Sequence, residues 1–140
     1  MDDDRWHETS IRVRYKDTDR MGVIYYGNFL TYFEVGRAEL MRSLGYPYSE
    51  LEKRGYSLVV AEAAAKYHAN VGYDSMVTIQ TAISDVKGAS VQFEYEILHD
   101  RTLLVTGHTL HACLDSTQTL TRLPADVKKA MVEAMTTGKY

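Results

Sequence analysis

Apolar and polar positions alternate along residues 10–15, Ser-Ile-Arg-Val-Arg-Tyr. A period of two places every second side chain on one face of a strand, here Ile11, Val13 and Tyr15. Lys16-Asp17-Thr18-Asp19-Arg20-Met21-Gly22 breaks the rhythm with polar residues and a closing glycine, so it is predicted as a loop. The spacing then lengthens to that of a helix over residues 27–44. Phe29, Phe33, Leu40 and Leu44 fall on one stripe, Leu30 and Met41 flank it, and Gly36 fills the remaining place. A glycine inside a helix costs about 1 kcal/mol against alanine, so Gly36 is expected at a point of close packing. Asn28 is the expected N-cap. Gly45, with Pro47 just beyond it, is the expected C-terminal stop.

Residues 48–54 are predicted to add a short turn of helix, and beyond Gly55 the pattern stays strand-like. Residues 57–68 are apolar and alanine-rich, and are read as a strand despite alanine's helical propensity. Val77, Ile79, Thr81 and Ile83 alternate within 76–86, and Val91, Phe93, Tyr95 and Ile97 alternate within 91–97; a further strand pattern covers 103–114. The links at Lys87-Gly88-Ala89 and Asp100-Arg101 are short enough for hairpins, which makes these strands antiparallel neighbours. Pro124 is expected at the first position of a terminal helix, with Val127, Met131 and Ala134 inward. The order is strand, long helix, about four strands, helix. One long helix covering an antiparallel sheet defines an α+β class. With no repeat or linker, residues 1–140 are expected to form a single domain.

A chain of 140 residues can bury about 68–70% of its unfolded surface, enough for a core without staples. Its 45% hydrophobic and 25% charged residues exclude a disordered chain. The net charge of −3 speaks against a nucleic-acid binder. Cys113 is the sole cysteine, so neither an intrachain disulfide nor a cysteine-rich zinc site is available. No run of apolar residues reaches the length of a membrane span. The opening Met1-Asp2-Asp3-Asp4 is acidic where a signal peptide would be basic. A cytoplasmic protein is expected.

Asp17-Thr18-Asp19-Arg20-Met21-Gly22 begins like a calcium loop, but Met21 and Asn28 stand where oxygen ligands are wanted. Hydrogen bonds from loop amides to the two carboxylates are the plainer reading. The following Val23-Ile24-Tyr25-Tyr26-Gly27-Asn28 leads directly into a helix start, where free N–H groups and a positive partial charge can hold an anion. That anion can be the oxyanion of a carbonyl under attack, with an upstream carboxylate as base or nucleophile. His108 and His111 are three apart on a strand and point to opposite faces, so they cannot share a metal; His111 and Cys113 are too few for zinc. His68 and His99 fall near strand ends and are expected to be solvated. Neither a G-x-S-x-G elbow nor a phosphate-binding glycine loop is present. The tyrosines suit core and interface packing. Lys87 in its hairpin is an ordinary turn lysine that could also meet a phosphate, and Lys128-Lys129 reads as the wet face of the last helix.

The run Tyr15 through Phe29, YKDTDRMGVIYYGNF, resembles the signature of hot-dog-fold acyl-CoA thioesterases of the 4-hydroxybenzoyl-CoA thioesterase-like branch, which includes the Tol–Pal-associated bacterial enzymes. Phe33-Glu34-Val35-Gly36-Arg37-Ala38-Glu39-Leu40 and Tyr73-Asp74 also fit, and the resemblance covers roughly residues 9–135. It implies a long helix wrapped by a curved antiparallel sheet, dimers paired through their sheets and often tetramers, and an active site at the dimer interface. By position, Asp19 is the catalytic carboxylate, Asp17 a supporting residue, and the Tyr26 N–H the oxyanion donor. Some relatives carry histidine where this chain has Tyr26. Leu58 and Val60 fall in the acyl pocket, and Lys87 near the CoA phosphates. The activity implied is hydrolysis of acyl-CoA without metal or other cofactor. Acyl carrier protein as the acyl donor, and acyl binding without turnover, remain open beside it; a hot-dog dehydratase is disfavoured because no histidine stands in the loop–helix motif.

Overall fold

The computed structural model describes residues 5–140; the acidic opening Met1-Asp2-Asp3-Asp4 lies outside the described residues. The elements are β1 (His7–Arg12), α1 (Asn28–Ser43), α2 (Tyr48–Lys53), β2 (Ser57–Tyr67), β3 (Met76–Val86), β4 (Ser90–His99), β5 (Thr102–Leu114) and α3 (Ala125–Thr137). The strands form one antiparallel sheet in the order β1-β3-β4-β5-β2. The α+β expectation holds, and both hairpins fall where the short links predicted them.

One face of this sheet is apolar because the strands alternate in register. Ile79 pairs with Ile97 and Ile83 with Phe93, Phe93 pairs with Thr109 and Ile97 with Val105, and these residues are buried. The helix α1 lies on that face through Phe29, Tyr32, Phe33, Gly36, Leu40 and Met41. Two glycines let it approach. A Cβ at Gly36 would strike the Thr81 hydroxyl and would stand 2.7 Å from an Ile79 methyl. On the sheet side, the Phe33 ring lies against Gly107, where a Cβ would meet it at 2.6 Å. That ring also stacks on Tyr95 at 4.2 Å. At the helix end Gly45 takes φ +88°, and the N–H groups of Gly45 and Tyr46 bond back to Arg42 and Met41. This is a Schellman stop.

Several expectations shift. The first strand runs over His7–Arg12 rather than 10–15. The Asp17 carboxylate takes the Arg14 N–H at 3.1 Å, so the chain leaves the sheet into a 3-10 turn at Tyr15–Asp17. Ile11 and Val13 still pack inward, but Tyr15 is exposed instead of sharing their face. Asn28 is not the N-cap: Gly27 holds that place, and the Asn28 side chain donates to the Asp17 carbonyl at 2.8 Å. Leu30, expected beside the buried stripe, is exposed. Pro124 stands one residue earlier than expected, as the N-cap of α3. Val127, Met131 and Ala134 are buried as expected. No helix among the described residues is long and apolar enough to cross a membrane.

Candidate active site

The two aspartates of the loop have separate occupations. Asp17 is buried, and its Oδ2 accepts the Arg14 N–H, the Arg14 Nε–H at 3.5 Å and the Tyr32 hydroxyl at 3.0 Å. Its carbonyl accepts the Tyr25 N–H and the Asn28 side chain. Burial pushes the Asp17 carboxyl up, but the Arg14 N–H, the Tyr32 hydroxyl and the Arg14 charge outweigh it, and the net shift is downward. Asp17 is thus an internal brace, tying loop, first strand and helix together.

Asp19 sits at the tip of a small hairpin. Its N–H donates to Val23, its carbonyl accepts from Gly22, and Thr18 bridges to Ile24. Gly22 takes φ +79°, which a residue with a Cβ adopts only at a cost. Asp19 Oδ1 accepts the Met21 N–H at 2.9 Å. Its Oδ2 makes no hydrogen bond among the described residues. The side chain is only half-exposed, so it is oriented while one oxygen stays available. The segment at 70–72 holds this hairpin from outside: Ile24 donates to Val71, Asn70 donates to Ile24, and Val23 bridges to Gly72.

At the entrance of α1 the backbone donors are counted off one by one. The Tyr25 N–H goes to Asp17, and the Asn28 and Phe29 N–H groups to Tyr25 and Tyr26. Between them, the N–H groups of Tyr26 and Gly27 have no acceptor among the described residues. These are orphan donors of a helix start, where the macrodipole is positive. The Tyr26 carbonyl is fixed by the Tyr67 hydroxyl at 3.2 Å. The rings of Tyr25 and Tyr26 lie 4.7 Å apart, and Tyr26 meets Tyr67 edge-on. Asp19 and Tyr26 therefore belong to one hydrogen-bonded unit that joins the loop to the helix.

Leu58 and Val60 line two adjoining clefts between α1 and β2. One, of about 230 Å³, is bounded by Leu30, Thr31, Val60, Ala63 and Thr109. The other, of about 380 Å³, is bounded by Tyr48, Glu52, Tyr56 and Leu58. Glu34 and Arg37 border both, so the two read as one channel along the helix. Lys87 stands elsewhere. It is exposed in the β3–β4 hairpin with Nζ 3.8 Å from Asp85, whereas the loop is attached at the Met76 end of β3 through Ser75. Ten residue steps of strand, Met76 to Val86, separate those ends by about 33 Å, so one chain does not bring Lys87 to Asp19.

Sequence reasoning gave no role to the polar side chains beneath this channel. His111 is fully buried, with Nε2 at 2.8 Å from the Thr109 hydroxyl and Nδ1 at 3.4 Å from the Leu58 carbonyl. Thr109 in turn meets the Tyr95 hydroxyl at 2.5 Å. A neutral ring that donates from Nδ1 and accepts at Nε2 satisfies every member; this tautomer is assigned from the network. Burial, and then the Arg37 charge, push the His111 pKa down to about 4. The signal was present as Thr109, His111 and Cys113 alternating inward, but polar residues in such a pattern are ordinarily just satisfied core residues.

A single antiparallel sheet wrapped around a long helix, with a carboxylate loop at the helix entrance, defines a hot-dog protein of the thioesterase kind. Comparisons with known proteins agree. The sequence profile of the Thioesterase-like superfamily matches residues 13–133, and the chain belongs to that superfamily. It is 34% identical over 106 residues to the putative acyl-CoA thioesterase YneP of Bacillus subtilis, covering 75% of this chain and 77% of that one. It is 33% identical to the acyl-CoA thioesterase YbgC of Haemophilus influenzae, covering 75% and 78%. Among solved structures, the DHNA-CoA thioesterase of Staphylococcus aureus superposes with a TM-score of 0.89 at 31% identity, covering 96% of each chain. The chain is accordingly a thioester hydrolase.

Proposed function

We propose that the chain hydrolyses acyl-CoA thioesters, with Asp19 as the attacking or base carboxylate and the Tyr26 N–H as the oxyanion donor. What carries this reading is the pairing of a carboxylate with one free oxygen and an unpaired N–H at a helix start, on one braced loop. Asp17 is buried and held by Arg14 and Tyr32, whereas Asp19 is half-exposed, so Asp19 is the better-placed of the two. Asp19 takes a proton from water as the water oxygen bonds to the thioester carbon. The carbonyl oxygen becomes anionic against the Tyr26 N–H and the helix N-terminus. As the carbonyl re-forms, the C–S bond breaks and the thiolate leaves with the electron pair, recovering the proton from Asp19. Attack by Asp19 itself, through an acyl–enzyme anhydride, uses the same parts.

Leu58 and Val60 supply apolar wall for the acyl group. Lys87 meets the CoA phosphates only where a second copy brings its hairpin to the site, so the active assembly is a homo-oligomer, either a dimer or a tetramer built from dimers, working in the cytoplasm. An acyl carrier protein would present the same pantetheine arm, and a side-by-side assay of both donors decides between them. The test of the core reading is thiol release from a panel of acyl-CoAs by wild type and Asp19→Asn. Loss of a general base costs about 10²–10⁴ in rate, so Asp19→Asn is expected to fall at least that far. Wild-type turnover in the variant would sink the assignment.

A further inference from the structure

The channel between α1 and β2 ends in hydrogen-bond donors that the protein itself does not use. The Tyr48 hydroxyl oxygen is buried and has no hydrogen-bond partner, although it lines the larger cleft. An unpaired buried hydroxyl is a cost, and a ligand atom that accepts from it removes that cost. Arg37 borders the same space, and no carboxylate among the described residues lies within ion-pair distance of it. Its guanidinium lies close enough to the Tyr48 and Tyr95 hydroxyl oxygens to act on both as an N–H donor and as a charge, and on His111 as a charge alone. His111 stays neutral and the Tyr95 hydroxyl is engaged with Thr109. What is left over at this end is a permanent cation, with the N–H groups of its planar fork that do not face the two tyrosines, and the phenolic O–H proton of Tyr48. Both give hydrogen bonds. The matching ligand group accepts several at once and carries negative charge, which describes a carboxylate. Glu34 and Glu52 also border the cleft but are exposed, where water and salt screen them.

The walls leading there from the helix start are Leu30, Val60 and Ala63, suited to methylene groups. Asn28 and Arg37 are nine residues apart on α1, a rise of about 13 Å, and a helical side chain leans back toward the N-terminus. A chain of medium length spans that gap. We propose that Arg37 and Tyr48 recognise a carboxylate at the far end of the acyl group, so that the favoured substrates are CoA monothioesters of medium-length dicarboxylic acids. This rests on the reading of Asp19 and Tyr26 as the thioester end of the same channel.

The experiment compares CoA esters of a dicarboxylic acid and of the plain fatty acid with the same number of carbons, on wild type, Tyr48→Phe and Arg37→Gln. Wild type is expected to favour the carboxylated ester by about 10–100-fold in kcat/KM, the worth of a charge-assisted pair, and mostly through KM. Arg37→Gln is expected to lose most of that preference and Tyr48→Phe part of it. Tyr48→Phe is expected to melt close to wild type, because its buried oxygen has no well-formed hydrogen bond in the free protein. Equal or better use of the plain ester by wild type, or an undiminished preference in Arg37→Gln, overturns the proposal while leaving Asp19 in place. Titration calorimetry with the two corresponding non-hydrolysable thioethers gives an answer independent of turnover. Tighter binding of the carboxylated thioether by wild type, lost in Arg37→Gln, upholds the proposal even if no ester is cleaved; equal binding overturns it.

Discussion

Two carboxylates two residues apart have different surroundings, and their substitution should therefore have different consequences. Asp17 is spent on Arg14 and Tyr32, and its pKa is held below the ordinary 3.8. A group depressed on folding stabilises the protein above its unfolded pKa, and that contribution is lost as pH falls through the lower folded value. Asp17→Asn is therefore expected to cost about 1.5–3 kcal/mol at neutral pH, the range for hydrogen bonds to a charged group. The measurement is urea unfolding of Asp17→Asn beside Asp19→Asn. Asp19→Asn should keep nearly the wild-type midpoint while losing activity; an equal loss of stability in both would undo the division of labour. His111 gives a second acid response in a different window. Its pKa drops from 6.5 to about 4 on folding, so the folded state refuses a proton that the unfolded chain accepts. Stability from this source is complete above pH 6.5 and falls by roughly 3 kcal/mol in all as pH drops to about 4. In His111→Gln that decline should flatten, and the loss below pH 4 belonging to Asp17 should remain. An unchanged slope between pH 6.5 and 4 would show that His111 is not its source.

At the scale of elements, what could be read in advance depended on how local its cause was. The strands β3, β4 and β5 were legible because alternation and two tight hairpins are local patterns, and α1 because its stripe and its glycine stop agree. The first strand was misplaced because its end is set by Asp17 reaching back to the Arg14 N–H, a contact that periodicity does not register. Asn28 looked like an N-cap for the same reason: its side chain had a better acceptor in the Asp17 carbonyl, eleven residues upstream. The loop motif points to Asp19 and Tyr26 as candidates, but not to the channel that Arg37, Tyr48 and Thr109 border, which forms only when α1, α2, β2 and β5 meet. Gly36 is the clearest case of a position explained by packing. Gly36→Ala gains about 1 kcal/mol of helix propensity, yet its methyl would collide with Thr81 and Ile79. Overpacking of this kind costs about 1–3 kcal/mol, and Thr81 and Ile79 lie in a paired strand that cannot easily give way. A net loss of stability is expected in thermal unfolding. A higher melting temperature would mean that α1 can move off the sheet freely.

The two edges of the sheet are finished differently, and that difference bears on the whole molecule. Beyond the end of β1, the Ile83 N–H on β3 is capped by the hydroxyl of Tyr140 at 2.9 Å, so this edge is partly closed from within the chain. The other edge, β2, is eleven residues long, and Val59-Val60-Ala61-Glu62-Ala63-Ala64 in its middle is exposed. A long, largely apolar edge with unpaired backbone groups invites another strand. Pairing two copies there would extend the sheet across a two-fold axis and set the channel beside α1 next to its counterpart, the symmetric solution commonest for homo-oligomers. The backbone shows where to intervene. The Ala64 carbonyl faces β5, where it lies against Gly107, so the N–H groups of its neighbours Ala63 and Ala65 point outward. Ala65→Pro removes an outward donor while leaving the β2–β5 ladder intact, a setting in which a strand tolerates proline. In sedimentation velocity the wild type is expected as a dimer or tetramer and Ala65→Pro as a smaller species of nearly unchanged circular dichroism, with thioester hydrolysis falling as the assembly dissociates. A variant that stays fully assembled, or a monomer that keeps full activity, would separate the site from the β2 edge and place the partner, if there is one, on another face.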